Sequence, residues 1–197
     1  MHKAVFILLL FMAGCQDNDQ FSIQGHLADK TYDGEFIYLV PLENAVKERV
    51  DSAIIQDGKF RMEGAATTAE IYIIRAKPLL RFTLQELLVV KEPGELTVGI
   101  GANSLVGGTA LNDSLQSWKE KKLMYDYRHE ELKQMFKVAD PAQQATIKHT
   151  ADSTHLRMLE YHFRFVRNNK ENVVGKFVHK MMGSSFSPEQ NRSLNMK

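Results

Sequence analysis

The spacing of the apolar residues changes once along this chain, close to position 112. Before that position, apolar and polar residues alternate in short runs such as Phe21–Gly25, which is the period of a half-buried β-strand. After it, apolar residues recur every three or four positions, which is the period of an α-helix packed on one side. The change predicts an α+β protein in which a β domain at 21–111 precedes a helical region at 112–183.

The β half contains short strand patterns that are separated by turn signals. Asp57–Gly58 predicts a two-residue hairpin, because a type I′ turn needs positive φ at both positions. Glu92–Glu95 contains Pro and Gly in the order of a turn, and Leu96–Ile100 is expected to pair back on the strand before it. The expected strands are 21–25, 35–40, the hairpin at 51–64, 69–75, 83–91 and 96–100. Short strands in this arrangement predict an antiparallel β-sandwich or an open barrel.

The helical half is expected to start at Asn112–Asp113, which can cap a first helix. The apolar stripe of that helix consists of Leu115, Trp118, Tyr125, Leu132 and Phe136. Leu123, Tyr127 and Met135 lie off this stripe, which indicates contacts with neighbours on more than one side. No strict heptad persists along the helix, so packing within the chain is favoured over a coiled-coil partner.

A second helix is predicted from Asp140–Gln143, which combines an Asp cap, Pro at the first helical position and Gln in the capping-box position. It is expected to pack on the first helix as an antiparallel hairpin. A short third helix is predicted at Val173–Met182, ended by Gly183, and the remaining residues 184–197 are interpreted as a C-terminal tail.

The N-terminal segment combines a basic start, an apolar run at Ala4–Ala13 and the single cysteine of the chain. The run is shorter than the roughly 20 apolar residues that cross a bilayer as a helix, so it is interpreted as the core of a secretory signal. Met12–Cys15 resembles a bacterial lipobox, in which the cysteine thiolate receives a diacylglyceryl group before the signal is cleaved. This resemblance implies a signal peptide at 1–14, a lipidated Cys15 and a hydrophilic tether at 15–20.

Lipidation makes the membrane the expected partner of Cys15. Each buried methylene contributes about 0.8 kcal/mol, so two or three acyl chains hold a protein durably. Gln16 resembles the residue found in lipoproteins that are forwarded to the outer membrane, where the body faces either the periplasm or the cell surface. Two other interpretations stay open, a cleaved signal with an incidental cysteine and an N-terminal membrane anchor. Lipidation is favoured because run length, small residues and cysteine occur in register.

Charge and cysteine content exclude several classes of function. The chain has 25 Lys and Arg against 24 Asp and Glu, a formal net charge of +1, which gives no electrostatic basis for binding nucleic acid. With one cysteine there is no internal disulfide, no Cys-x-x-Cys redox pair and no cysteine-rich zinc site.

The residues that carry chemistry in other proteins do not form a recognisable site in this sequence. His155 and His162 are seven residues apart, and His129–Lys133 lacks the second histidine of a zinc-protease helix. The other histidines beyond the signal are His26, His149 and His179. Lys119–Lys122 is interpreted as a solvated helix face, because acidic residues follow it closely. We therefore expect no catalytic residue, no metal and no cofactor, and we expect that the protein is not an enzyme.

Three segments carry a resemblance to a known family. The strings VDSAIIQDGKFRMEG, VVKEPGELTVGI and GGTALNDSLQSW are similar, in order and spacing, to an uncharacterised β domain of Gram-negative envelope lipoproteins. In that family this domain of unknown function typically precedes a thioredoxin-like domain of the thiol–disulfide oxidoreductase type. The resemblance covers about residues 21–118 and implies no catalytic residue within them. The thioredoxin-like domain itself is absent from this sequence.

These observations favour a noncatalytic, lipid-anchored cell-envelope lipoprotein that acts as a binding or spacer module, with an envelope protein as possible partner. One alternative is a truncated relative or partner of a thioredoxin-like oxidoreductase, although dithiol exchange by this chain alone is excluded because it has no second cysteine and Cys15 is expected to carry lipid. Another is an accessory lipoprotein in nutrient or glycan capture, for which exposed aromatic residues such as Tyr32 or Tyr38 would have to line a groove.

Overall fold

The computed structural model describes residues 19–76, 87–101 and 104–196. Within these ranges the chain forms eight β-strands followed by four α-helices. The predicted signal peptide, Cys15 and most of the tether lie outside the described residues, as do the first residues of the strand expected at 83–91.

The eight strands form two four-stranded sheets that share one core. The strands are β1 Gln20–Leu27, β2 Phe36–Pro41, β3 Asp51–Ile54, β4 Lys59–Ala65, β5 Glu70–Ala76, β6 Leu87–Lys91, β7 Gly94–Ile100 and β8 Leu105–Gly107. The first sheet has the order β4-β1-β7-β8 and the second the order β3-β2-β5-β6. All neighbouring strands are antiparallel except β1 and β7. In the described residues the strands form two separate, mostly antiparallel sheets over one core and no closed barrel, so the predicted α+β fold with a sandwich-like β domain is confirmed.

The core between the sheets follows the alternation of each strand. On β2, Ile37 and Leu39 are fully buried, whereas Phe36 points to the other face and is 46% exposed. Phe21 and Ile23 of β1 fill the core from the first sheet. Because each sheet buries one face in this core, the outer face of the second sheet is available to another layer.

Both turns that the sequence identifies carry the chain between the two sheets. Asp57 and Gly58 have φ values of 51° and 68°, as a type I′ turn requires. Beyond an isolated bridge between Gln56 and Lys59, however, β3 pairs with β2 and β4 pairs with β1. The turn after β6 has the same effect, since β7 pairs with β1 and β8. The predicted hairpin is therefore confined to the Gln56–Lys59 pair, and the predicted pairing of Leu96–Ile100 with the strand before it is wrong, because burying the apolar face of each strand places it in the opposite sheet.

The four helices form a third layer on the outer face of the second sheet. They are α1 Ala110–Val138, α2 Pro141–Asn169, α3 Val173–Met182 and α4 Pro188–Leu194. Ile71 of β5 and Val90 of β6 lie in one buried cluster with Leu115 of α1 and Val178 of α3. This second core fixes the helices to the sandwich.

The predicted helical hairpin and third helix are confirmed. Asp140 accepts hydrogen bonds from the N–H groups of Ala142 and Gln143 at 2.9 Å, and the Gln143 side chain accepts one from the Asp140 N–H at 3.1 Å. α3 has the predicted bounds. The predicted start of α1 is wrong, because Thr109 is the N-cap residue and Asn112 lies inside the helix.

The segment interpreted as a tail contains a short helix. Ser187 caps α4 by accepting a hydrogen bond from the Gln190 N–H, and the Gln190 side chain accepts one from the Ser187 N–H. Leu194 at the end of α4 is buried in the helical cluster. Phe186 is buried in the same cluster and Met196 packs against it, so the capping box and these apolar contacts explain the order of the segment.

Candidate interaction surface

The direction of β1 distinguishes the two ends of the sandwich. We call the end where β1 begins the near end, because it is closer to the N-terminus; there β1 and β7 begin with Phe21 opposite Gly94. At the far end, Leu27 lies opposite Ile100.

The predicted lipidation site precedes the near end by a few residues. Cys15 itself lies outside the described residues. The chain is held from Asp19 onward, because its carbonyl accepts a hydrogen bond from the Ala66 N–H at 2.7 Å. β1 then lies between β4 and β7, in the interior of its sheet. An anchor at Cys15 therefore connects to one of the best-paired strands of the body.

α1 starts at the near end and runs toward the far end. β6 ends at the near end, where the Lys91 ammonium lies 4.6 Å from the centre of the Phe21 ring. The first turn of α1 contacts this part of β6 through Asn112, and Lys119 then reaches the carbonyl of Leu88, closer to the start of β6. α1 is therefore antiparallel to β6.

The outer half of α1 projects past the far end of the sandwich. At 1.5 Å per residue the helix is about 42 Å long, whereas β1 rises about 20 Å between the two ends. In its outer half, α1 contacts α2: the Tyr125 hydroxyl donates to the Arg157 carbonyl at 3.5 Å, and the Gln144 amide donates to the Phe136 carbonyl at 3.2 Å. We call residues 120–138 and 141–158 the distal hairpin.

Asn112 joins the helical layer to the edge of the second sheet. Its carbonyl oxygen accepts a hydrogen bond from the Val90 N–H at 2.8 Å, and its amide donates to the Val90 carbonyl at 2.8 Å. The amide also donates to the Thr109 hydroxyl at 2.8 Å. The side chain is fully buried, and it supplies edge strand β6 with the partner that another strand would have provided. This use of Asn112 explains why it does not cap the helix.

Trp118 and His162 form a buried polar contact between α1 and α2. The indole N–H donates to His162 Nδ1 at 3.1 Å, and His162 is fully buried. Burial, together with the nearby Lys122 ammonium, lowers the pKa of His162 to about 4. Since Nδ1 accepts, the neutral ring carries its proton on Nε2, which has no hydrogen-bond partner among the described atoms. The arrangement orders the hairpin at its base.

The distal hairpin carries many exposed apolar side chains. Those more than two-fifths exposed are Leu123, Met124, Tyr127, Met135, Phe136, Val138 and Leu156. The expected neighbours of Leu123, Tyr127 and Met135 are therefore missing from the described residues, where these side chains are 44%, 66% and 46% exposed. Phe136, predicted to lie in the packed stripe, is 41% exposed. Concentrations of this kind are typical of protein interaction surfaces.

The histidines do not converge on one centre. His129 and His155 both line a groove between α1 and α2, together with Asp126. His179 is bonded to the Asn191 side chain at 3.0 Å, and His149 is exposed on α2. Within the described residues, no group of three His, Cys, Asp or Glu side chains has the geometry of a metal site.

The basic run at Lys119–Lys122 is only partly solvated. Lys122 makes an ion pair with Asp126 at 2.6 Å, as a surface residue does. Lys119 lies against β6, and burial lowers its pKa to about 8. The expectation of a solvated face is therefore wrong for Lys119, because the sandwich covers that side of the helix.

The aromatic residues proposed for a capture groove lie in different environments. Tyr32 packs against the sandwich core. Tyr38 is half-buried on β2, beside Phe36 with ring centres 6.2 Å apart. Of the aromatic residues that the structure describes, Tyr127 on the distal hairpin has the largest exposed fraction, 66%.

Residues 21–115 match the family model "Domain of unknown function (DUF4369)", which covers just under half of the chain. The resemblance to an uncharacterised β domain is confirmed for these residues. They include the whole sandwich and the first turns of α1, so the distal hairpin lies outside the matched region. Neither a curated protein nor a solved structure matches the chain. None of the described helices is both long and apolar enough to cross a membrane.

Proposed function

We propose that this protein is a noncatalytic cell-envelope lipoprotein, held to the outer membrane by acyl chains on Cys15, whose folded body is a binding or spacer module. The observation that carries the proposal is the lone cysteine at the border between the apolar run Ala4–Ala13 and the hydrophilic tether. The run is too short for a durable membrane helix, and a thioether on the cysteine would replace it as the anchor.

The geometry of the body supports display of the distal hairpin away from the anchor. Five residue steps separate Cys15 from Gln20, which span at most about 18 Å. An anchored near end therefore stays close to the membrane, while the distal hairpin lies beyond the far end. A spacer or a binding surface at that position reaches partners that a membrane-level site would not.

The chemistry of the distal hairpin favours binding over catalysis. Three ion pairs lie along α1 in this hairpin, among them Arg128 with Glu131 at 2.6 Å and Lys133 with Glu130 at 3.2 Å. Beside them lie exposed apolar side chains such as Tyr127 and Leu156, whose removal from water by another protein would lower the free energy.

The lipid anchor is tested by mass spectrometry of the N-terminal peptide from envelope membranes. We expect a chain that starts at Cys15 and carries a diacylglyceryl thioether. Cys15→Ser should move the protein from the membrane to the soluble fraction, or leave it as an uncleaved precursor. An unmodified Cys15 on a chain that starts at Met1 in the cytosol would overturn the proposal.

The binding role is tested by recovering partners from intact envelopes with the anchored protein as bait. Tyr127→Asp combined with Leu156→Asp should abolish recovery, whereas Leu105→Asp, a substitution on β8 at a side chain that is 51% exposed, should not. Recovery of a thioredoxin-like oxidoreductase would favour the redox-partner alternative. Reduction of insulin disulfides by the purified protein would contradict the noncatalytic role.

A further inference from the structure

The outward face of α1 carries a second stripe with the spacing of a coiled-coil seam. Met124, Arg128, Glu131, Met135 and Val138 follow one another at intervals of four, three, four and three residues. The three apolar members are 45%, 46% and 87% exposed, and the side chains of Arg128 and Glu131 are 43% and 57% exposed. We call these five residues the outer stripe.

The outer stripe faces away from both neighbours of α1. At about 100° of rotation per residue, it lies about 100° around the helix from Tyr125, which contacts α2. By the same rotation it lies about 140° from Lys119, which reaches β6. Among the residues that the structure describes, neither packing on α2 nor packing on the sandwich covers it, so it is exposed there along the length of the distal hairpin.

We infer that the outer stripe is a self-association surface through which two copies of this chain pair in antiparallel orientation. In a pair centred between His129 and Glu130, Met124 lies opposite Met135 of the second copy, and Arg128 lies opposite Glu131. Two-fold symmetry repeats both contacts. A parallel pair would instead set Arg128 against Arg128 and Glu131 against Glu131, which repel. The charges of the outer stripe therefore favour a second copy of this chain as the partner, and they favour the antiparallel over the parallel orientation.

Arg128 and Glu131 have a partner of opposite charge both in the single chain and in the antiparallel pair. In the single chain, Arg128 and Glu131 form an exposed ion pair within the helix, which contributes little to stability. In the antiparallel pair the two charges of each copy form a network of four across the interface, flanked on each side by a methionine layer. Methionine adapts its shape well to such a contact. Since the stripe is only two heptads long, the pairing is weak and reversible, and the single chain does not require it to fold.

The inference does not rest on the lipid anchor, because it follows from the exposed face of α1 alone. The near ends of the two copies lie at opposite ends of the assembly. A pair held on one membrane therefore lies along the surface, whereas an unpaired copy displays its distal hairpin away from the membrane.

Cysteine crosslinking in intact cells tests the pairing. Two differently tagged full-length copies, one with Met124→Cys and the other with Met135→Cys, are produced together and oxidised. The antiparallel register brings these positions together, so we expect the mixed disulfide to be several times more abundant than either disulfide between copies of the same variant. The parent chain, whose only cysteine is Cys15, provides the background.

Charge reversal separates the proposed contact from chance collision. Arg128→Glu, and independently Glu131→Arg, should remove the mixed disulfide, and the two substitutions together should restore it. Arg164→Glu is the matched control, since it reverses one charge of a similarly exposed ion pair with Glu160 on α2 and should change nothing. Circular dichroism checks that each variant keeps its helices.

Four outcomes would overturn the inference. They are a predominance of disulfides between copies of the same variant, a mixed disulfide that survives both single charge reversals, crosslinking to a different protein, and no crosslinking above the parent chain.

Discussion

The substitution Asn112→Ala tests how the helical layer is joined to the sandwich. The Asn112 side chain bonds both the N–H and the carbonyl of Val90 at 2.8 Å, at a position with no exposure to solvent. Alanine would leave two buried backbone groups of the edge strand without a partner, and each such group costs about 1–3 kcal/mol. Water can enter part of the space that alanine leaves. We therefore expect the free energy of unfolding to fall by about 3 kcal/mol, within the lower half of the summed range.

Urea unfolding followed by the fluorescence of Trp118 measures this loss. Trp118 is the only tryptophan of the chain and lies in the cluster between the helices and the second sheet, so its signal reports the helical layer. Asn168→Ala is the matched control, because Asn168 is exposed on α2 and its replacement should change stability by less than about 0.5 kcal/mol. Equal urea midpoints for the two variants would refute the reasoning.

The variant Asn112→Asp separates the hydrogen bonds from the shape of the side chain. Aspartate keeps the size and one acceptor, but its carboxylate faces the Val90 carbonyl and the carboxylate of Glu92, which the amide approaches at 3.3 Å. At pH 7 the loss should be at least as large as for alanine, since an unpaired charge is buried. Burial beside Glu92 raises the pKa of this carboxyl, so stability relative to the parent should recover progressively as the pH falls toward about 4, because the protonated carboxyl can donate again.

Three further predictions use the same unfolding assay. The pKa of His162 is lowered from 6.5 to about 4 in the folded protein. As the pH falls, the unfolded chain therefore takes up a proton before the folded one does. The free energy of unfolding should decrease by up to about 3 kcal/mol between about pH 6.5 and 4. His162→Gln, which can still accept from Trp118, should flatten this profile, and His149→Gln should not. Lys119→Met should raise the free energy of unfolding by about 1 kcal/mol at pH 7; the gain should disappear between pH 8 and 10.5, where the native lysine has lost its proton and the unfolded one has not. Asp140→Ala should lower it by about 1 kcal/mol and increase amide exchange in the first turn of α2. An unchanged pH profile, a destabilised Lys119 variant or an unaffected first turn would contradict the respective argument.

Features decided by neighbouring residues were predictable from the sequence. The start of α2 follows from Asp140, Pro141 and Gln143, whose side chains and backbone bond one another within a single turn. The bounds of α3 follow in the same way, since Asn172 caps it by accepting a hydrogen bond from the Gly175 N–H at 3.0 Å. Such signals are complete within a few residues, so no knowledge of the fold is needed to interpret them.

Strand pairing was not predictable by the same means. The φ values at Asp57 and Gly58 are those that a hairpin needs, yet the strands on either side enter different sheets. A turn fixes the direction of the chain over two residues. The partner of each strand depends on which sheet can bury Phe60 and Met62, and that is decided by residues far away in the sequence.

The buried polar contacts were missed for a related reason. Asn112 has the residue type and position of a helix cap, and only the edge of β6 beside it explains its different use. Lys119 belongs to a basic run, and the covering strand appears only in the fold. His162 showed no ligand spacing, and its contact with Trp118 joins residues that are 44 positions apart.

The helices of the distal hairpin need a source of stability other than a large apolar core. Its outer half buries few apolar side chains, and isolated helices are marginal in water unless local interactions support them. The support comes from the capping box at Asp140 and from ion pairs within α1, such as Lys122 with Asp126 and Lys133 with Glu130. The exposed Tyr127 and the other exposed apolar residues of this region contribute nothing comparable, unlike Leu132, which is 3% exposed. Since they do not hold the helices together, and since exposed apolar surface favours aggregation, the binding role proposed above, in which a protein surface covers them, would account for their presence.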